Sequence, residues 1–355
     1  MKIKFKMKHM LFSFIVLVFI SCENKEENAV VEPYNGIHLP ATISIEARDM
    51  LSNWTIEGRN AGAQLPKANA PLEVWKKKQD EAKNAAAKSL PKIVEIYKPT
   101  IDTVFLGTIR AIDVKPKNYK KSNKVIIYVH GGAFVFYPAD VTLLSSIPLA
   151  DASGLRIITI DYTLSPQAKF NQILDEVIQA YKELLKEYKA ENIAIYGDSA
   201  GGSITAGAIL KMRDLKINLP SSVVLWSAWL DLDEIGDTYF TLKKTDPNLV
   251  YANFLENCAE AYAPRTEWKN PYVSPVYGDF SKDFPPTLIQ VGSKEIFLSN
   301  SIRMFRQLKE NNKEVELDVY EGMWHVWQGH YPLPESKMAI KNTKNFIFKH
   351  LGQEI

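Results

Sequence analysis

Cysteine is almost absent: the 355 residues hold two, Cys22 and Cys258. A disulfide framework is therefore excluded. No cluster of Cys and His at metal-ligand spacing and no phosphate-binding glycine loop followed by Lys and Ser or Thr occurs, so neither a metal nor an organic cofactor is expected. Net charge is small, +2, and residues 1–21 carry four lysines and no acid, which leaves −2 on the remainder. That balance offers no basic patch, and no nucleic-acid partner is expected. The longest apolar run, Met10 to Ile20, is shorter than the about 20 residues a membrane-spanning helix needs. Internal repeats are also missing, which excludes solenoids, propellers and a peptidase with an appended propeller. Apolar residues, at 46%, suffice for a large core in one domain.

What is present centres on Gly197-Asp-Ser-Ala-Gly-Gly-Ser203, which follows the apolar run Asn192–Tyr196 and precedes the small-residue stretch Ile204–Leu210. Strand, sharp turn and helix are implied, with Ser199 at the tip and Gly197 and Gly201 removing side chains that would collide there. Ser199 is the candidate nucleophile. A small-residue turn that merely packs a helix on a strand is the alternative. Upstream, the strand-like Lys124–Val129 runs into His130-Gly131-Gly132-Ala133. Acyl transfer needs backbone N–H donors around the reacting carbonyl, and Gly132 and Ala133, with Ala200, are the expected oxyanion donors. His130 and Gly131 are read as support for that loop.

Downstream, the alternating Val315–Tyr320 ends in Glu321-Gly-Met-Trp-His325. A histidine just past a late strand can reach a serine at the sheet edge, so His325 is the candidate base and His330 its near competitor. The base must be neutral to act, and activity is expected to fall on acidification. The acid should lie between nucleophile and base in the chain. Glu295 follows the strand Pro286–Gly292 and fits, whereas Asp283 precedes that strand. A carboxylate there accepts the histidine Nδ1–H and stabilises the imidazolium.

Strands near 125, 156, 192, 222, 286 and 315 alternate with helices near 171, 200 and 299. This predicts an α/β protein with a mostly parallel sheet and helices on both faces. The segment Gln172–Tyr188 shows the period, with Ile173, Val177, Tyr181, Leu184, Leu185 and Tyr188 in one stripe. Together, His130-Gly-Gly-Ala, Gly197-Asp-Ser-Ala-Gly-Gly and Glu321-Gly-Met-Trp-His resemble the bacterial hormone-sensitive-lipase-like family of α/β-hydrolase esterases. Asp161-Tyr-Thr-Leu-Ser-Pro166, Trp229-Leu-Asp-Leu232, Asp246-Pro247 and Val273-Ser-Pro275 extend the likeness over about residues 41–350. The resemblance implies an α/β-hydrolase fold, a Ser199–His325–Glu295 triad, the Gly-Gly-Ala loop as oxyanion site, and a helical cap formed by about 41–100 and 235–275. Lys76–Lys88 is expected as a solvated helix with Trp75 facing inward. Tyr239, Phe240, Tyr251, Phe254 and Tyr262 are cap aromatics that either line a pocket or form the cap's own core.

The chain departs from the family pattern in four respects, at five positions. Ala133 stands where a third glycine is frequent, and Glu295 where aspartate is the more frequent acid. Thr163 and Gln167 replace an Arg and a Glu, which is expected to remove an ion pair. Asn300 replaces a second Asp, with Asn300 or Ser299 expected to cap the next helix. The substrate class implied is a short- to medium-chain ester or lactone. A carbohydrate-ester deacetylase, or a catalytically silent binding protein that kept the fold, are the other readings, and pairing with a second copy is left open.

The amino-terminal end is read separately. Lys2, Lys4, Lys6 and Lys8, an apolar stretch and Ser21-Cys22 resemble a bacterial lipoprotein signal, although Phe19 replaces the usual leucine. Residues 1–21 are then a cleaved signal peptide, Cys22 the lipidated first residue, 22–40 a polar tether and 41–355 the hydrolase domain. Lys25-Glu-Glu27 also resembles the surface-export signal of Bacteroidetes lipoproteins. The expected location is the bacterial cell envelope, held to a membrane by the lipid.

Overall fold

The computed structural model describes residues 37–62 and 64–354. The expected signal peptide and Cys22 lie outside the described residues. Parallel strands buried on both faces read as continuous apolar runs, and the fully buried Val125–Val129, Ile193–Asp198, Ser222–Trp226 and Thr287–Gly292 are of that kind. With Thr100–Leu106 (β1), Ile109–Lys115 (β2), Ile157–Ile160 (β4) and Val315–Tyr320 (β8), these strands (β3, β5, β6 and β7) form an eight-stranded sheet. Its order is β1-β2-β4-β3-β5-β6-β7-β8. Only the β1–β2 and β2–β4 pairings are antiparallel, so the expected mostly parallel α/β sheet is what forms.

Successive side chains of a strand point to opposite faces, and the core divides accordingly. Ile127, Val129, Ile195 and Leu225 join a cluster under one face, while Ile126, Tyr128, Tyr196 and Trp226 join a second cluster on the other. Phe170–Leu184 (α6) and Ala200–Asp214 (α7) cover the first face. Ile147–Ser153 (α5) and Pro334–His350 (α11) cover the second. The stripe expected on α6 is buried at Ile173, Val177, Tyr181 and Leu184, whereas Leu185, just past its end, is only half-buried.

The hairpin β1–β2 had no counterpart in the sequence reading, which ended the cap near 100. Its signal is a two-residue turn, Gly107-Thr108, in which Gly107 takes φ 64° as the first position of a tight hairpin demands. Helices α5 and α11 were likewise unassigned. Ile37 and Leu39 fall inside the expected tether 22–40, yet they are buried beside Trp324 and Trp327. The packed domain therefore begins no later than Ile37.

The two segments assigned to a cap meet each other. The first holds Ile45–Ser52 (α1), Ile56–Gly62 (α2), Leu72–Ala87 (α3) and Leu90–Tyr97 (α4); the second holds Thr238–Thr241 (α8) and Glu256–Tyr262 (α9). Leu65 N–H donates to the Asn253 carbonyl, and Asn257 Nδ2 donates to the Leu65 carbonyl. Arg59 Nη1 donates to the carbonyls of Lys243 and Asp246. Trp75 is fully buried on α3, its Nε1 on the Lys67 carbonyl. Neither Ser299 nor Asn300 caps Leu298–Glu310 (α10), which has no side-chain cap. Tertiary partners take both: Ser299 bonds Thr238, and Asn300 Oδ1 accepts the Asp231 amide.

Candidate active site

Because β3, β5, β7 and β8 run parallel, their C-terminal ends lie at one edge of the sheet and deliver four loops to one place. The loop after β5 is the sharp turn. Ser199 sits there at φ 54°, ψ −125°, a backbone state that costs strain for a residue with a Cβ. Its amide donates to the Trp226 carbonyl at 2.9 Å, and its carbonyl accepts from Trp229 N–H at 3.0 Å. A Cβ on Gly197 would strike the Gly201 carbonyl, and one on Gly201 would strike the carbonyls of Val129 and His130. The two glycines are thus required by close backbone approach.

Beyond β8, the chain turns at Gly322 (φ 71°) and brings His325 back over Ser199. His325 Nε2 lies 2.9 Å from Ser199 Oγ, and Nδ1 lies 2.8 Å from Glu295 Oε2. A buried carboxylate accepts, so Nδ1 carries the proton and Nε2 is left to accept from the Ser199 hydroxyl. His325 and Ser199 are buried, and Glu295 is wholly inaccessible. Glu295 Oε1 accepts from the Ser227 hydroxyl at 2.8 Å and the Gly292 amide at 2.7 Å. The loops of acid and base are tied together: Lys294 N–H donates to the Met323 carbonyl, and Gly322 N–H to Ser293 Oγ. His330 and Asp283 are not brought to the serine. His330 packs edge-on against Trp54 and Trp324, where burial lowers its pKa to about 4, and Asp283 is exposed ahead of β7.

After β3, Gly132 (φ 116°) and Ala133 (φ 51°) fold the loop against the turn. Among the described residues the amides of Gly132, Ala133 and Ala200 have no protein acceptor. Ala200, the first residue of α7, follows Ser199 directly and is buried. His130 is fully buried, stacked on Tyr162 with ring centroids 4.2 Å apart, its Nδ1 2.8 Å from the Gly131 carbonyl. Burial pushes its pKa down, which favours the neutral ring.

Three residues near the site carried no sequence signal for a role. Asp198, inside the serine motif, accepts from the Gly131 amide and the Tyr128 hydroxyl and so joins the turn to the glycine loop; burial pushes its carboxyl up. Ser227, in the loop after β6, accepts from Val326 N–H at 3.1 Å while donating to Glu295. Asp246 accepts from Asn248, Leu249 and Ile296 amides, the last at 2.8 Å. Burial raises its pKa to about 6. Asp246 had been noted as part of a matching Asp-Pro pair, but nothing in one sequence shows that it reaches the acid loop.

Ser199, His325 and Gly131–Ala133 line a cavity of about 790 Å³. Its wall is mostly apolar and includes Phe136, Leu144, Leu249, Phe254 and Tyr331. Of the five cap aromatics, Phe254 alone is on this wall. Tyr262 stacks on Phe134 at 3.8 Å, Tyr239 and Tyr251 face a second hollow, and Phe240 is largely exposed. Among the described residues no group of His, Cys, Asp and Glu is arranged to hold a metal ion. Cys258 is buried and unbridged.

A serine on a strand-to-helix turn, a histidine and a carboxylate at the C-terminal edge of such a sheet define the hydrolase class built on this architecture. A family model described as alpha/beta hydrolase fold matches residues 126–329, and the chain belongs to that family. It is 29% identical over 257 residues to an acetyl-hydrolase of Streptomyces hygroscopicus, covering 72% of this chain and 85% of the relative. An esterase of Acinetobacter venetianus is 28% identical over 270 residues, covering 75% and 88%. A crystallised esterase superposes with TM-score 0.83 at 25% identity, over 88% of this chain and 96% of its own. An esterase of the bacterial hormone-sensitive lipase family gives TM-score 0.68 at 28% identity, over 72% and 85%. The chain is accordingly a hormone-sensitive-lipase-like serine hydrolase of the carboxylic-ester class.

Proposed function

We propose that Ser199, His325 and Glu295 hydrolyse carboxylic esters or lactones of short to medium chain through an acyl-enzyme. The observation that carries this reading is the unbroken path from Ser199 Oγ through His325 to Glu295, at 2.9 and 2.8 Å. His325 Nε2 takes the hydroxyl proton as Ser199 Oγ bonds to the ester carbonyl carbon. The carbonyl oxygen gains the charge and rests on the amides of Gly132, Ala133 and Ala200, donors worth about 100-fold each in comparable sites. The tetrahedral intermediate collapses, the alkoxide leaves with the proton from His325, and water activated by the same nitrogen releases the acid. Glu295 holds Nδ1–H throughout and stabilises the imidazolium.

A cavity of about 790 Å³ has room for more than an acetyl group and accommodates a sizeable alcohol or acyl part. The name acetyl-hydrolase carried by one relative supports acetate as one acyl group. The mostly apolar wall favours esters with apolar parts over a sugar. The enzyme is placed at the cell envelope by acylation of Cys22, which metabolic labelling with a radioactive fatty acid and a Cys22→Ala variant tests.

The deciding experiment is hydrolysis of p-nitrophenyl esters from acetate to dodecanoate by residues 23–355, beside Ser199→Ala. Activity that peaks at short chains and drops about 10⁵-fold or more in the variant is expected. Equal activity in both proteins refutes the nucleophile. Absence of both activity and labelling by a fluorophosphonate supports the silent binding protein instead.

A further inference from the structure

The rim of the main cavity carries charge of one sign. Lys88 and Lys92, at the junction of α3 and α4, line the cavity and are exposed, while Ser199 and His325 are buried at its base. Between and beside them stand Ser89, Ile93 and Ile96, so the edge around the two lysines is mostly apolar. Some lysines of this surface stand with acids, as Lys78 does with Glu81 and Lys349 with Glu314, and many do not; what distinguishes Lys88 and Lys92 is their place on the wall of this cavity. Among the described residues Lys88 and Lys92 belong to no ion pair, and Glu95, one turn beyond Lys92, does not reach it. The wall offers them no carboxylate either. Its one acid among the described residues is Asp198, whose Oδ1 is occupied by the Gly131 amide and the Tyr128 hydroxyl.

We propose that Lys88 and Lys92 are specificity residues that select esters bearing an anionic group, such as a carboxylate, remote from the scissile bond. The proposal rests on the esterase reading above and names its substrate class. The apolar body of the ester fills the cavity, its carbonyl meets Ser199, and its anionic end stays at the rim, where an exposed charge is attracted without the cost of burial. Two exposed lysines supply a modest preference, about five- to tenfold at low ionic strength, that salt screens.

The test compares matched substrates. The acyl side is read with p-nitrophenyl valerate against the p-nitrophenyl monoester of glutaric acid. The alcohol side is read with the acetyl ester of 4-hydroxybenzamide against that of 4-hydroxybenzoate. At low salt one anionic member should exceed its neutral partner in kcat/KM by about fivefold or more, falling toward parity in 0.5 M salt. The double variant Lys88→Gln/Lys92→Gln should lose that preference while hydrolysing the neutral esters as before. Which pair responds assigns the rim to the acyl or the alcohol side. Parity in both pairs, a preference that survives the double substitution, or an equal loss on neutral and anionic esters overturns the proposal. Labelling rates of Ser199 by neutral and carboxylate-bearing fluorophosphonates read the same preference without turnover. Failure of ester hydrolysis alone would therefore refute the esterase reading and still leave the lysines decided.

Discussion

Ser227→Ala is the most discriminating substitution, because Ser227 touches the machinery without touching the cavity. Its hydroxyl donates to Glu295 Oε1 at 2.8 Å and accepts the Val326 amide at 3.1 Å, and it does not line the cavity. A hydrogen bond to a buried charged group contributes about 1.5–3 kcal/mol, and the Val326 amide left without an acceptor costs about 1–3 kcal/mol more in stability. Only the part that positions Glu295 reaches the rate. A loss of about 1.4–2.7 kcal/mol in transition-state stabilisation lowers kcat about 10- to 100-fold, with KM nearly unchanged. The methyl group brings no new backbone strain, since residue 227 already holds φ 46° with a Cβ in place. Steady-state hydrolysis of p-nitrophenyl butyrate measures the effect, and a cycle with Glu295→Gln isolates it. If Ser227 acts through Glu295, its removal in the Glu295→Gln background changes kcat by less than about threefold. A kcat within twofold of wild type, or fully additive losses in the cycle, would sink this reasoning.

Two buried groups give pH signatures of opposite sign. His330, lowered to about 4 by burial, contributes stability that is present above its unfolded value of about 6.5 and is lost as pH falls through its folded value. The full linkage is about 3 kcal/mol, and the small part of His330 that reaches the cavity reduces it to about 1–2 kcal/mol. Urea unfolding of wild type and His330→Gln at pH 7.5 and 4.5 should show the difference, and parallel pH curves refute it. Asp246, raised to about 6, destabilises the fold above that pH and ceases to do so as the carboxyl protonates. Relative to Asp246→Asn, the wild type should gain about 2–3 kcal/mol between pH 7 and 4; a constant difference by the same assay overturns the assignment. Gly201→Ala forces a methyl into the Val129 and His130 carbonyls and should cost activity at least tenfold and lower the thermal midpoint by several degrees, about 1–2 °C per kcal/mol for a chain of this size. An active variant with an unchanged midpoint would contradict the close approach.

The local pattern of the chain was enough to determine the central strands, the serine turn and the order of the site residues. β3, β5, β6 and β7 are short apolar runs, and buried parallel strands have that composition because both faces are covered. Ser199 was evident because the turn that exposes it admits no side chain at Gly197 or Gly201, a demand written directly in residue type. The histidine and the acid followed from their positions after strands. The hairpin β1–β2 and helix α11 were missed for the opposite reason. β1 is mostly exposed at the sheet edge, and α11 buries one regular face but places Ser336 and Thr343 on it, so neither writes a strong apolar period.

Tertiary structure alone decided which polar residues serve the site. Ser227 is 68 residues from Glu295 in the chain, and Asp246 is 50 from Ile296. No spacing rule links them, because their meeting depends on how β6, the cap and β7 are placed. The same holds for Ser299 and Asn300, whose types suit a helix cap but whose side chains are taken by Thr238 and by the amide of Asp231. The rim lysines are one more instance: in the sequence they are two charges among many, and the fold sets them at the edge of a mostly apolar cavity. Residue type and period fix what is local, whereas a hydrogen bond or a charge contrast across the fold exists only once the chain has brought its partners within a few ångströms.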